Sequence, residues 1–551
     1  MNYQTPGVYV EESNALSLGI QSGQTAVPVF VGHFDAIKKD GTLDKQPPVQ
    51  CVRIDSWLSF TQQFASDSSA TFSIGLDGNN NVVTHGTNLG AASVRMFIEN
   101  GGGMCYVLPV NNFKKAISQI VPAIDLCPDI TLLCWCEHRS ESDDQSVVTE
   151  LGKLTGSEKS GGMQSRFLLI DAALINSMIA VPIVTDPHHA AAYFPALRTA
   201  YRHTADIEAV PLKGLNNAPY NLTGEFNIKK LRDKCDENLK KLSAAGELVK
   251  KSAMIVKAAA EVDKITVSTT SWEKVFTLLH AINDSMDKSN SDAAEKDYKA
   301  LASIITIASA PKAFPTLVDF KSNIENYKTL YEASLPVQKL LKTVIKVASE
   351  PVVLRASVAM AGVYARTDRE RGVWKAPANV ELSSVAGLVA VDLGANTVSD
   401  IRIDDAFNNT LVENKVNAIR AFSGRGHLVW GARTMAGPSE TAWRYVSVRR
   451  LFSTVERDVQ DALRVAMFEP NSQPTWMSVR SAISHYLHRL WQDGALAGAT
   501  PAEAYFVRVG LHETMTEEDV NNGRMLVSIG LAAVRPAEFI VLQLTQDMGA
   551  T

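Results

Sequence analysis

Residues 90–110 read GAASVRMFIENGGGMCYVLPV, and their pattern decides the fold class. Leu89, Val94, Phe97 and Ile98 recur at helical spacing and fall on one side, so the first part predicts an amphipathic helix. Gly101, Gly102 and Gly103 then end it, because residues without a Cβ supply the backbone freedom of a helix C-cap and tight turn. The run 104–110 that follows is apolar and predicts a buried strand. Helix, turn and buried strand in succession point to a sheet covered by helices.

The same alternation extends outward on both sides. Buried strands are predicted at 27–31, 130–133, 167–170 and 179–184, with further helices at 56–64 and 190–201. Ahead of them, Pro6-Gly7 breaks any helix, and Val8, Tyr9 and Val10 favour a strand. A polar stretch, 13–24, carries Gly19 and Gly23 and separates that strand from the rest. A strand on such a tether has no partner nearby and suits pairing later in the chain or with the sheet edge of another molecule.

At Leu215 the composition shifts, and to about residue 348 the chain is rich in Lys, Glu and Ala at helical spacing. Ile228, Leu231, Cys235, Leu239, Leu242, Ala245, Val249, Ala253, Val256 and Ala260 follow in steps of three and four, the seam of a long amphipathic helix. Shorter helices are expected at 272–280, 298–308, 320–331 and 337–347, together a helical bundle inserted into the α/β chain. The α/β pattern resumes after Pro351, with a helix at 352–366 and strands at Leu411, 418–422 and 428–431. Helices at 446–467 and 475–492 are ended by Pro470 and Gly494, and strands at 505–510, 525–534 and 538–545 close the chain. The predicted fold class is α/β (α+β) and multidomain, with extended arms at both ends. Its parts are an N-terminal arm and linker, 1–24; an outer α/β domain, 25–214; the helical insertion, 215–350; the remainder of the α/β domain, 351–420; a C-terminal domain, 421–534; and a C-terminal arm, 535–551.

Composition narrows the function classes only a little. A formal charge of −5, from 54 Lys and Arg against 59 Asp and Glu, gives no basic excess for nucleic acid. The opening residues lack the basic start and apolar core of a secretory signal, which predicts cytoplasmic synthesis, and no apolar run reaches the roughly 20 residues of a membrane span. Six scattered cysteines in so long a chain are expected to be reduced thiols. Cys134, Cys136 and His138 could open a zinc site, but no second pair follows at zinc spacing, and alternate positions of a strand would bury the two thiols together.

Enzymatic frames are missing as well. The chain holds no G-x-S-x-G elbow, no G-x-x-x-x-G-K-[ST] loop and no H-E-x-x-H helix. The three glycines at 101–103 run from helix to strand, the reverse of a phosphate loop. Gly424, Gly426 and Gly431 mis-space a dinucleotide fingerprint and read as a turn beside a packed strand. The pairs His188-His189 and His485 with His488 have no carboxylate or cysteine at a diagnostic spacing and read as surface or interface histidines. No catalytic residue, cofactor or metal is expected. More telling is 443–491, where Arg444, Arg449, Arg450, Arg457, Arg464, Arg480 and Arg489 outnumber Glu456, Asp458, Asp461 and Glu469. Guanidinium forks in that excess suit either docking on an acidic surface or ion pairs within the subunit.

Three stretches resemble the contractile tail sheath family of phages and phage-derived injection systems. They are YQTPGVYVEE at 3–12, FIENGGGMCYV at 97–107 and AGVYARTDRERGVWKAPAN at 361–379. NAIRAF at 417–422, the run 426–433, WRYVSVRR at 443–450 and FEPN at 468–471 look like the C-terminal sheath domain. The resemblance covers nearly the whole chain except 215–350, an insertion that simpler phage sheaths lack and some extracellular injection systems carry.

What the resemblance implies is a non-enzymatic structural subunit that polymerises with itself as stacked hexameric rings around an inner tube protein. The arm strands, with Tyr3, Val8, Tyr9 and Val10 at one end and Phe539, Ile540, Val541, Leu542 and Leu544 at the other, would each join a sheet in a neighbouring subunit. The tethers 13–24 and 535–538 would serve as hinges when the sleeve contracts from a metastable lattice and drives the tube through a target envelope. The C-terminal domain would face the tube, with Arg449, Arg450, Arg457 and Arg464 as the candidate contact. Baseplate and terminal cap proteins would be further partners, with room for sibling sheath proteins, and neither nucleic acid nor direct membrane insertion is implied. The particle would be a phage tail or a released phage-tail-like particle assembled in the cytoplasm. Two other readings stand beside this one: a hydrolase, since part of the sheath fold is subtilisin-like, and a non-contractile structural or adhesive assembly protein.

Overall fold

The computed structural model describes residues 19–67, 72–76, 81–85, 89–156, 166–216, 219–220, 222–263, 272–287, 291–304, 315–393, 397–437 and 439–538. The chain divides into two compact units, one of residues 1–66, 89–200 and 352–551, the other of 67–88 and 201–351.

The first unit is built on an eight-stranded sheet ordered Gly426–Val429, Val416–Phe422, Ala190–Phe194, Phe167–Asp171, Leu132–Trp135, Pro28–Gly32, Cys105–Pro109 and Val52–Ile54. The inner six strands are parallel and the two edge strands antiparallel. Strand alternation sorts the side chains of Pro28–Gly32. Val29 and Val31 join Ile120, Ile124, Val147 and Leu151 on one face. Phe30 lies on the other, its ring 5.2 Å from that of Phe97 in the helix Leu89–Glu99. Burying such a phenyl ring contributes about 2–3 kcal/mol. The helix Ala356–Arg371 packs on that same Phe97-bearing helix, and a Cβ at Gly362 would come within 2.5 Å of the Phe97 carbonyl oxygen. Close backbone approach is what the glycine allows. The turn at Gly101 closes the helix as its sequence predicts, with φ at +99° and the Gly102 amide donating to the Phe97 carbonyl.

Residues 190–201, expected to be helical, are instead the strands Ala190–Phe194 and Ala196–Arg202. Three consecutive alanines favour a helix by propensity, but Ala190–Phe194 is buried throughout between two parallel neighbours, and tertiary burial overrides propensity. Pro195 is the local signal against a helix there. Leu411, expected in a strand, lies in the helix Asp405–Glu413, whose cap Asp404 accepts from the Phe407 amide. The stretch expected as one helix from 352 is a strand, Pro351–Leu354, followed by the helix Ala356–Arg371. The C-terminal part of this unit packs the helices Val446–Leu463 and Gln473–Gln492 around Leu451, Val455, Val479, Ile483 and Leu487.

The second unit is a four-stranded sheet, Phe226–Asn227, Pro211–Lys213, Ser73–Leu76 and Val82–His85, with the helices Ile228–Asp263, Trp272–Asp287, Ser291–Ile304 and Pro315–Ser349. In the seam read from Ile228 onward, Leu242, Ala245 and Val249 are buried and pack with Ile282, Phe320 and Tyr327, while Leu239 is half-buried. The helices expected at 320–331 and 337–347 are one, with Pro336 inside it. In the same unit His203 stacks on Phe72 at 5.0 Å, and burial pushes its pKa down to about 4. The unfolded chain takes up that proton near pH 6.5 and the folded chain does not, so this contribution to stability is complete above pH 6.5 and is lost as pH falls toward 4. Urea denaturation is expected to show about 1.5 kcal/mol lost between pH 6.5 and 5. That slope should flatten in His203→Gln.

Candidate assembly interface

The C-terminal part holds a two-stranded antiparallel sheet, Tyr505–Arg508 against Ser528–Leu531. Among the described residues no third strand joins it. Tyr505, Val507, Ile529 and Leu531 turn inward onto the helical core. Phe506 turns outward over Gly530, with the Arg508 guanidinium 4.9 Å above its ring. One face is thus anchored, and just past Leu531 the chain pairs with residues 495–497 through an antiparallel bridge between Leu496 and Ala533. Tyr3, Val8, Tyr9 and Val10, and Phe539, Ile540, Val541, Leu542 and Leu544, lie outside the described residues.

All four candidate arginines meet a carboxylate within the subunit, and three of them are largely buried. Arg450 and Asp368 are both only 5% exposed and form a two-pronged pair at 2.9 and 2.5 Å, with the guanidinium 4.7 Å over the Tyr364 ring. The Tyr364 hydroxyl in turn meets that of Tyr193 at 2.7 Å. Arg449, also buried, donates to both oxygens of Glu456 at 3.1 Å and lies 4.3 Å over Trp443. Arg457 reaches Asp458 at 3.4 Å. Arg464 alone of the four faces solvent, its side chain 64% exposed, beside Asp461. Next to it the turn between the two helices exposes Val465, Met467 and Phe468, the last completely, and Met477 is exposed near the start of the second helix. Phe468 also holds φ at +72°, an uncommon conformation for a bulky residue.

The tethers expected to hinge are partly fastened. Arg489 donates to the Ser22 hydroxyl at 3.2 Å, the Gly23 amide to Asp458 at 3.2 Å and the Thr25 hydroxyl to Asp368 at 2.6 Å, while Arg450 also donates to the Thr25 carbonyl. This linker forms one wall of a cavity of about 470 Å³ also lined by Asp368, Trp374, Leu451 and Tyr486. At the other end, Glu538 is held by Arg433 at 3.0 and 2.6 Å and by the Tyr445 hydroxyl at 3.3 Å.

The remaining sequence candidates find local partners. Cys134 and Cys136 are fully buried, which pushes both thiols up. Burial likewise pushes the His138 pKa down to about 3. Among the described residues no cluster of His, Cys, Asp or Glu is placed to hold a metal ion. His188 meets Glu440 at 3.0 Å and His189 meets Asp186 at 2.9 Å. Gly424 and Gly426 shape the hairpin turn between two paired strands. Sequence reasoning missed Asp368 and Trp443, the partners of the buried arginines. Trp443 lies six residues from Arg449 and was within reach of a local search, but Asp368 is 82 residues from Arg450.

Comparison with known proteins finds likenesses to sheath proteins. Residues 439–546 match the model of the phage tail sheath C-terminal domain family. The tail sheath protein of Vibrio phage KVP40 is 27% identical over 186 residues, 33% of this chain and 25% of that protein, so the match spans a quarter of the relative's length. The helical sheath of the anti-feeding prophage in its contracted state is 28% identical with a TM-score of 0.58, over 99% of this chain and all of the other. The contracted sheath complex of the extracellular contractile injection system PVC is 26% identical with a TM-score of 0.55, over 100% and 99% of the two chains. The chain therefore resembles contractile tail sheath proteins over its whole length.

Proposed function

We propose that this chain, which resembles contractile tail sheath proteins, is the structural subunit of such a sheath, polymerising as stacked hexameric rings around an inner tube and contracting to drive the tube forward. The observation that supports this most directly is the end-to-end likeness to the anti-feeding prophage sheath. The two-stranded sheet, which no third strand joins among the described residues, would be a physical acceptor for the arm strands at 3–12 and 539–545. Main-chain pairing of that kind holds subunits together without demanding particular side chains, so links survive while domains slide. Contraction then draws its free energy from new subunit contacts. A baseplate would be a further partner, as in the anti-feeding prophage baseplate, whose structure includes a chain like this one. A cap protein would close the far end. The particle would be a phage tail or an extracellular contractile injection system.

In this reading the tube contact lies at the turn after the arginine-bearing helix. Arg464, paired with the similarly exposed Asp461, supplies the exposed guanidinium, Val465, Met467 and Phe468 supply apolar area, and Arg449, Arg450 and Arg457 brace the helix behind them. The double change Arg464→Glu with Phe468→Asp is expected to lower co-sedimentation with tube protein about tenfold while leaving the melting temperature unchanged, since neither side chain is buried. Polymers of the purified chain and its tube protein that pellet equally well with and without this change would refute the assignment.

A further inference from the structure

The C-terminal arm leaves the subunit next to a built polar grip. Arg433 sits where the chain turns back after the edge strand Gly426–Val429. Its main chain is fixed on both sides by one residue: its amide donates to the Asn417 side-chain oxygen at 2.8 Å, and its carbonyl accepts from the Asn417 side-chain nitrogen at 2.8 Å. Asn417 belongs to the strand Val416–Phe422, is buried, and donates again to the Ala192 carbonyl at 3.0 Å. It packs so closely beneath the turn that a Cβ at Gly431 would fall 2.7 Å from its oxygen. Arg433 also bridges to Tyr445, whose hydroxyl is the second donor to Glu538. A bidentate guanidinium is therefore held in a fixed place by the large sheet and points at the last described residue before the arm.

We infer that Arg433 is a positioning residue for the C-terminal arm, and that its grip on Glu538, shared with Tyr445, sets the point and direction from which the arm strand reaches a neighbouring subunit. The inference rests on the arm-exchange reading above. It makes 535–538 a held segment instead of the hinge expected there. The Val534 amide, which donates to the Ala495 carbonyl at 3.2 Å, anchors the same segment from its other side. Between these two anchors the chain has little freedom, so subunit orientation is transmitted to the arm instead of being absorbed before it.

Three full-length variants test this: Arg433→Met, Glu538→Gln and the charge-reversed pair R433E/E538R. The supporting contacts of Arg433 are main-chain, so all three are expected to fold with melting temperatures near wild type. Chymotryptic cleavage after Phe539, whose preceding residues 536–538 must enter the protease cleft, is expected to quicken about three- to fivefold in both single variants, read by mass spectrometry on the isolated chain. Sheath yield on co-expression with tube and baseplate proteins should fall about tenfold in the single variants, because every subunit of the lattice carries the defect. The reversed pair should return to within about twofold of wild type. Single variants that cleave and assemble like wild type would overturn the inference, as would folded single variants that assemble poorly and are not rescued by the reversal. If a chain lacking 539–551 assembles normally, the arm-exchange reading fails instead, and the cleavage rate after Phe539 in the full-length variants still judges the grip.

Discussion

Replacing Asp368 by alanine is expected to destabilise the subunit by about 3–5 kcal/mol, because it leaves the Arg450 guanidinium buried without a counter-charge. The two side chains are equally hidden, and Asp368 also accepts from Thr25, so one substitution strips partners from both the helix Val446–Leu463 and the linker. Arg450→Met should cost less. It removes the charge along with its need for a partner, although the aromatic contact to Tyr364 is lost as well. Urea denaturation of both variants gives the comparison, and an Asp368→Ala subunit as stable as wild type would contradict the geometry. The pair also explains why the arginine excess of 443–491 is a poor guide to an external surface: most of its candidate charge is committed inward.

Deleting residues 1–12 is expected to abolish long ordered polymers while leaving the monomer's unfolding transition in place. The described core begins only at Gly19, and its first contacts are made by Ile20 and Ser22, so the deletion removes none of the contacts described for that core. Its effect on assembly should be all-or-none in character. In the proposed arm exchange each subunit of the lattice donates the same strand, so the loss of one link per subunit would be multiplied along the sleeve. Electron microscopy of polymers beside circular dichroism of the monomer separates the two effects. Full-length sheaths from the truncated chain would rule out strand donation by this arm.

How much was legible in the sequence follows from where the determining contacts lie. The strand at 27–31, the helix before Gly101 and the seam from Ile228 were readable because the signal is local, an apolar period matched to one element. Residues 190–201 were misread because a central parallel strand made of small residues has neither alternation nor β-branched character, and its identity depends on strands far away in sequence. Leu411 was misread because one apolar residue amid polar ones carries no period, although Asp404 ahead of it is a helix cap. In the candidate site, the arginine-bearing helices and the closing strands were visible as elements. Which arginine faces inward was not visible, because Asp368 has no local relation to Arg450. Nor was Glu538 distinguishable from the flexible tether around it, since the residue that holds it is 105 positions away.

The central claim is that this chain builds a sheath, and electron microscopy of the full-length protein co-expressed with its genomic neighbours tests it most directly. Striated tubes with six subunits per ring around an inner tube, present in a long and a contracted form, are the predicted result. Monodisperse monomers or amorphous aggregates under the same co-expression would contradict it.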